Sequence, residues 1–323
     1  MSLTLSILFY VTIFLGIIKL YIKLTTGWCK SNVCLIGKTA IVTGANTGIG
    51  YETAEDFAKR GAKVILACRN EDRGTKAAEN IIKSTDNTNV FFKHLDMSSF
   101  ESVRKFAEDI NKFEKRLDIL VNNAGVGTCG RKKSENGLLM LMQINYFGPF
   151  LLTYLLLDLL KKTSNSRVIN VSSIVAKLLK NFDIEDLNNF PKFKFDWLGN
   201  VYLYSLSKLC NILFTIELSK KLKGTSTTTY SLHPGVVNTK IIRDLPPVMK
   251  YSNSLTFKHF FKSPIEGAQT NIYCSVAKGI EKLSGEHFHN CYRVSRYNIM
   301  ESQELAERLW KTTERILNLQ EMM

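Results

Sequence analysis

The sequence predicts an α/β domain, and three observations carry that prediction. Lys38–Thr43 reads as a strand that runs straight into Gly44-Ala45-Asn46-Thr47-Gly48-Ile49-Gly50, and Tyr51–Arg60 then takes up a helical pattern. Further apolar strands recur at Lys63–Cys68, Val90–Leu95 and Leu117–Val121, with helical stretches between them. Strands alternating with helices point to a layered α/β domain. A long apolar run, Val201–Leu218, reads as a buried helix.

The chain has 323 residues, enough for one large α/β domain with extras or for two small ones. Its net charge of +14 points to an anionic partner: nucleic acid, lipid or cofactor. Lys and Arg are scattered, and zinc-finger spacing and aromatic RNA-binding signatures are absent, so no nucleic-acid partner is expected. Seven irregularly spaced cysteines without a C-x-x-C pair argue against a disulfide framework and a zinc site, and fit a domain facing the cytosol. His287 and His289 lack a third ligand, and alternation on a strand explains them, so no metal is expected. The one N-x-S/T sequon, Asn170-Val171-Ser172, lies in an apparent core strand rather than a glycosylated loop.

The N-terminus precedes this domain. Residues 3–18 are uncharged, and Leu20-Tyr21-Ile22 continue past Lys19. Twenty helical residues with a snorkelling lysine suit a bilayer span. No basic residue precedes the run and bulky residues follow it, which disfavours a cleaved signal peptide. Lys19, Lys23, Lys30 and Lys38 all follow the apolar stretch, so the positive-inside rule puts the domain in the cytosol. A helix lying in one leaflet is the alternative. The expected organisation is an anchor at 1–24, a linker at 25–37 and the α/β domain at 38–320.

The glycine turn has the arrangement that brings backbone N–H groups and a helix N-terminus onto a pyrophosphate; a tight β–α turn is the plainer reading. At the end of the second strand, where an NAD site wants a carboxylate, stand Cys68 and Arg69. An arginine pairs with a 2′-phosphate, so NADP(H) is favoured over NAD(H). Asp96 accepts either from an adenine amino group or from the helix starting near Ser98-Ser99. Asn122-Asn123-Ala124-Gly125 let a cofactor pass close to a strand end. Asn145 lies in the very apolar Leu138–Phe150 stretch of a helix expected to run from Leu138 to Leu160, and is expected to be buried.

Tyr204 and Lys208 share one face of the apolar helix, four residues apart. A cation beside a phenol favours phenolate, which makes a tyrosine an acid/base. Taken alone, the pair reads more readily as a core tyrosine beside a snorkelling lysine.

With Thr43-Gly44-x-x-x-Gly48-Ile49-Gly50, Asn122-Asn123-Ala124-Gly125, Tyr204-x-x-x-Lys208 and His233-Pro234-Gly235 in this order, the chain from about Lys38 onward resembles the short-chain dehydrogenase/reductases. The resemblance implies one Rossmann-like doubly wound domain with a seven-stranded parallel sheet. Ala67-Cys68-Arg69-Asn70, Asn145–Thr153, Ser207–Phe214 and Ser263–Thr270 are similar to the microsomal retinol dehydrogenase group. Tyr146 and Pro149 stand where that group commonly has His, and Tyr51 replaces a common Lys.

The resemblance implies four catalytic residues. Tyr204 gives and takes the proton, and Ser173, after the strand Arg167–Val171, binds the substrate oxygen. Lys208 stabilises tyrosinate and holds the nicotinamide ribose, and Asn145 tethers a water. It further implies cofactor contacts at Gly44, Asn46, Thr47, Gly48, Ile49, Gly50, Arg69, Asp96, Met97, Asn123, Ala124, Gly125, Pro234, Gly235, Val237 and Thr239, alongside Tyr204 and Lys208.

The expected activity is NADP(H)-dependent interconversion of a lipophilic alcohol and its carbonyl, with retinol and retinal implied by the resemblance. Steroids, fatty aldehydes and other apolar carbonyls are the alternatives. A cofactor-binding scaffold without turnover is disfavoured by the intact set of four. Residues 241–262 read as a substrate lid or a surface loop, and the aromatic-rich 177–203 stretch as a pocket wall. An endoplasmic reticulum or related membrane is expected, and a homo-oligomer is compatible with the sequence.

Overall fold

A computed structural model describes residues 3–237, 261–295 and 298–319. The lid segment expected at 241–262 therefore lies outside the described residues except for Phe261 and Lys262, and Thr239 lies outside them as well.

Seven parallel strands form the sheet: β1 (Thr39–Thr43), β2 (Lys63–Cys68), β3 (Val90–His94), β4 (Ile119–Asn122), β5 (Arg167–Val171), β6 (Thr228–His233) and β7 (His287–His289). A short strand the sequence reading did not anticipate, β8 (Tyr292–Val294), pairs antiparallel with β7. The order is β3-β2-β1-β4-β5-β6-β7-β8. Both faces are covered, so successive residues of one strand enter different cores, the usual condition of a parallel sheet. Ile41, Ile65, Leu120 and Val168 join one apolar cluster, while Val42, Leu66, Val121 and Ile169 join the other.

The first cluster packs against α4 (Phe100–Phe113), α5 (Gly148–Leu155), α6 (Leu157–Lys162), α7 (Asp196–Lys221) and α9 (Gln303–Ile316); the second packs against α2 (Gly48–Lys59), α3 (Glu71–Thr85) and α8 (Pro264–Val276). Strand order reverses between β1 and β4, which opens a crevice at the strands' carboxyl ends.

α7 is long and apolar enough to cross a membrane, but most of it is buried in this domain, so it is a core helix. The helix expected over Leu138–Leu160 is interrupted: a π-helical turn, Gln143–Phe147, precedes α5, and Leu156 separates α5 from α6. The insertion is invisible in a stretch that is apolar on every face, because such a stretch has no period to break.

The N-terminal helix α1 (Leu3–Thr25) is 23 residues long, about 34 Å at ~1.5 Å per residue. Phe9, Phe14, Ile17 and Leu20 on it are exposed. The segment after it is strapped to the domain: the Arg60 guanidinium donates to the carbonyls of Ser31 and Val33, and Leu35 is buried.

Candidate active site

The glycine turn is set by close approach. Gly44 has φ +66°, and a Cβ there would sit 3.0 Å from the Ala124 backbone. A Cβ on Gly50 would lie 2.5 Å from Asn123 Nδ2 and 2.6 Å from the Gly44 carbonyl. Thr43 ties the turn to β4: its Oγ1 accepts from the N–H of Asn123 and of Ala124, and its carbonyl accepts from Asn123 Nδ2 at 2.9 Å. Helix α2 starts at Gly48 with no side chain capping its N-terminus, so its first backbone donors face the crevice. Gly50→Ala is expected to destabilise the fold by roughly 1–3 kcal/mol through overpacking against backbone, and to abolish any thermal shift that an added dinucleotide produces. Differential scanning fluorimetry with and without the nucleotide checks both.

Arg69 and Cys68 line the far end of the same cavity, and Arg69 is exposed there. Burial pushes the Cys68 thiol up to about 11, against hydrogen bonds from the backbone at Ala45 and Asn46, so it stays neutral. Asp96 and Met97 also line the cavity. The Asp96 carboxylate accepts from the Ser98 N–H and hydroxyl at 2.9 and 2.6 Å, while Ser99 caps α4. Asp96 thus shapes the helix entry and faces the cavity at once.

The four residues expected to be catalytic converge. Tyr204 and Lys208 lie on α7 and line the cavity, and Lys208 Nζ sits 5.7 Å from the Tyr204 ring centroid. Lys208 is 4% exposed and donates to the Val171 carbonyl at 3.0 Å. Ser173 lies beside the Tyr204 hydroxyl and opposes the effect of burial on its pKa. Its neighbour Ser172 points away and donates to the Lys208 carbonyl at 2.6 Å. Asn145, inside the π-turn and buried, grips the loop after β4: Oδ1 accepts from Val126 N–H at 2.8 Å and Nδ2 donates to the Val126 carbonyl at 2.9 Å. A Cβ on Gly125 would lie 3.3 Å from Asn145 Oδ1 and 3.4 Å from Lys208 Nζ, so that glycine keeps the corner open.

The electrostatics differ from the sequence expectation in one respect. Burial raises the Tyr204 pKa, with Ser173 opposing, rather than Lys208 lowering it. Burial lowers Lys208 itself to about 8, and its ammonium is directed at the Val171 carbonyl. The desolvation of both groups outweighs their mutual attraction. The departures from the retinol dehydrogenase pattern also find places: the Tyr146 hydroxyl bonds Thr313 Oγ1 at 2.7 Å in the core, and Pro149 is buried in the first turn of α5.

All the other cofactor positions expected from sequence line the cavity among the described residues: Asn46, Thr47, Gly48, Ile49, Ala124, Gly125, Pro234, Gly235 and Val237. His233, before Pro234, stacks on His289 with ring centroids 3.8 Å apart, and burial together with the neighbouring histidines lowers it to about 2. The volume is about 1150 Å³, above the ~300–1,000 Å³ of a usual single-ligand pocket. Beyond Tyr204 it continues between Val126, Ile174, Val175, Leu178, Trp197 and Val201. Sequence reasoning passed over Val126, Thr128 and Asn200 here, since each is an ordinary loop or helix residue until the fold folds it inward.

Buried polar groups behind the site form a ladder. Asn122 Nδ2 donates to Thr153 Oγ1 and Asn170 Oδ1, Asn170 Nδ2 donates to Thr215 Oγ1, and Asn211 Nδ2 donates to the Asn145 carbonyl. These bonds cross-link β4, β5, α5, the π-turn and α7, and fix α7 against the strand ends.

A short chain dehydrogenase family model matches residues 38–182. Retinol dehydrogenase 11 of Mus musculus is 45% identical over 301 residues, covering 93% of this chain and 93% of that protein. Among solved structures, an uncharacterized protein from Mycobacterium paratuberculosis superposes with a TM-score of 0.71 at 27% identity, covering 92% of this chain and 100% of that one. The Pseudomonas aeruginosa RhlG/NADP active-site complex superposes with a TM-score of 0.61 at 25% identity, covering 79% and 95%.

Proposed function

The chain belongs to the short-chain dehydrogenase family, and from that premise we propose that it is an NADP(H)-dependent, membrane-anchored oxidoreductase that interconverts a lipophilic alcohol and its aldehyde or ketone, retinol and retinal foremost. The observation that carries this reading is the convergence of Tyr204, Ser173, Lys208 and Asn145 on one cavity, with the glycine turn at one end and apolar side chains at the other.

A nicotinamide dinucleotide fits the residues present. The cradle at Gly44 and Gly50 has no room for a Cβ, and the uncapped N-terminus of α2 offers donors to a pyrophosphate. Gly44, Asn46, Thr47, Gly48, Ile49 and Gly50 would hold the phosphates, Arg69 the 2′-phosphate, and Asp96 and Met97 the adenine side. Asn123, Ala124, Gly125, Pro234, Gly235, Val237 and Thr239 would flank the ribose and nicotinamide. When bound, the nicotinamide supplies or accepts the hydride at the carbonyl carbon.

The chain's own residues handle the oxygen and the proton. Ser173 hydrogen-bonds the substrate oxygen and fixes it beside Tyr204. In reduction Tyr204 gives its proton to the developing alkoxide; the raised pKa keeps that proton on the phenol at neutral pH. In oxidation the same oxygen takes the proton back, and the Lys208 ammonium favours the anionic form. Asn145 holds Val126 and so keeps the cavity wall in place. The apolar wall from Val126 to Trp197 excludes water and suits a long hydrocarbon, and the name of the mouse relative supports retinol as its alcohol.

For the cofactor, support comes from Arg69 in place of a carboxylate and from the NADP complex among the similar structures. Arg69→Asp is expected to raise the KM for NADPH by about a hundredfold, since a bidentate charged pair is lost and a like charge gained, while the KM for NADH falls. Steady-state kinetics with both nucleotides decides it; equal effects on the two would remove Arg69 from the 2′-phosphate.

Anchoring is supported by α1, whose length matches a ~30 Å hydrocarbon core and on which Phe9, Phe14, Ile17 and Leu20 lie exposed. The basic residues after it support a domain on the cytosolic side of an endoplasmic reticulum or related membrane. Turnover of retinal by the purified protein with NADPH tests the substrate; a fatty aldehyde or steroid ketone turned over in its place would redirect the assignment within the same chemistry.

A further inference from the structure

Beyond anchoring by α1, on which this rests, we propose that the edge of the domain where the cavity opens lies on the same bilayer, so that substrate passes from lipid to Tyr204 without crossing water.

The placement follows from topology. The cavity opens at the carboxyl ends of the parallel strands. Asn290, in the turn directly after β7, lies at that same edge. Its Nδ2 donates to the Thr25 carbonyl at 2.7 Å, and a Cβ on Gly27 would sit 1.8 Å from its own carbonyl oxygen. The last turn of α1 is therefore held against the edge that carries the cavity mouth. Asn290 Oδ1 also accepts from Lys262, whose side chain packs on Gly235 in the cavity wall. A bilayer entered by α1 meets this edge first.

The edge has the surface such a bilayer needs. Ile174, Leu178, Phe193, Phe195 and Trp197 are 42–64% exposed within one stretch of chain, and three of them, Ile174, Leu178 and Trp197, line the cavity. Exposed Lys177, Lys180, Lys192 and Lys194 are interleaved with them. On the anchor side Trp28, Ile265 and Tyr292 are also exposed. Apolar and aromatic side chains among lysines match the boundary between acyl chains and headgroups, where rings sit at the interface and lysines reach the phosphates. The carboxylates of this stretch are set apart: Asp183, Glu185 and Asp186 share one turn, and Asp196 pairs with Arg131 at 2.7 Å. The patch adjoins the cavity mouth, and the end of α1 is tied to the same edge of the sheet, which together select lipid over a protein partner.

The test uses the full chain in phosphatidylcholine–phosphatidylserine vesicles with brominated acyl chains. Flotation reports anchoring, and the quenching lost on Trp197→Phe reports the position of Trp197. The expected result is that Trp197 is quenched, and that Lys192→Glu/Lys194→Glu/Phe195→Asp, which lies outside the cavity lining, floats normally but loses at least half of that quenching. The same variant is expected to raise the KM for vesicle-dissolved retinal by about tenfold and leave that for propanal unchanged, because two cations that would face lipid phosphates become anions. A chain that does not float removes the anchoring reading and the proposal together. A chain that floats with Trp197 unquenched overturns the proposal and leaves anchoring and catalysis standing. Quenching with an unchanged ratio of KM values overturns the entry route. Cross-linking of the parent through the patch, lost in the variant, would assign it to a second copy and overturn it as well.

Discussion

Tyr204→Phe is expected to lower the rate of carbonyl reduction by about a thousandfold while leaving NADPH affinity within a factor of two, because it deletes the proton donor and little else. The ring stays in its site on α7, and only the hydroxyl beside Ser173 is lost. Single-turnover decay of NADPH absorbance, with binding followed separately by fluorescence, isolates the chemical step. A residual rate within tenfold of the parent would mean that another group delivers the proton. Loss of NADPH binding would mean that the hydroxyl serves the cofactor rather than the substrate.

Lys208→Met is expected to inactivate the protein and to stabilise it. Lys208 is 4% exposed, and burial lowers its pKa from 10.5 to about 8. Below pH 8 both the folded and the unfolded chain hold this proton, and the cost of burying the ammonium is fully present. Between pH 8 and 10.5 the unfolded chain still holds the proton that the folded chain has released, so stability from this group rises with pH across that window. A shift of this size is worth about 3 kcal/mol, and leaving the Val171 carbonyl without its donor returns about 1–2 of them. The net gain at pH 7 is about 1–2 kcal/mol, or a few degrees in Tm. Turnover should fall by about a hundredfold or more, and the parent's loss of reduction rate above pH 8 should vanish with the lysine. A lower Tm in the variant would mean that the ammonium is stabilised by its surroundings and is not held there at a cost for function.

Much of this was legible from residues alone because the relevant signals are local. The strand-turn-helix at Thr39–Lys59 announces itself through glycines that no other residue replaces, and four further strands were placed within two residues by short apolar runs. Helical spacing put Tyr204 and Lys208 on one face, and the ordered motifs on either side gave the pair its role. The parts that were not legible depend on packing between distant segments. The π-turn around Asn145 leaves no trace in a uniformly apolar stretch, yet it turns that side chain onto Val126. The ladder from Asn122 through Asn170 to Thr215 joins residues that read separately as a loop asparagine, a sequon and a helix threonine. The direction of the Tyr204 shift depends on how deeply both partners are buried, which spacing does not reveal. Strand β8, with three residues, carries too little pattern to be seen.

The central claim is direct hydride transfer between NADPH and a lipophilic carbonyl at Tyr204. Incubating the full-length protein in vesicles with retinal and NADPH deuterated at nicotinamide C4 tests it most directly. The account predicts retinol carrying one deuterium on the carbinol carbon, from one face of the nicotinamide only, with none formed by Tyr204→Phe over the same interval. Bound cofactor without labelled product from retinal, a fatty aldehyde or a steroid ketone would contradict it.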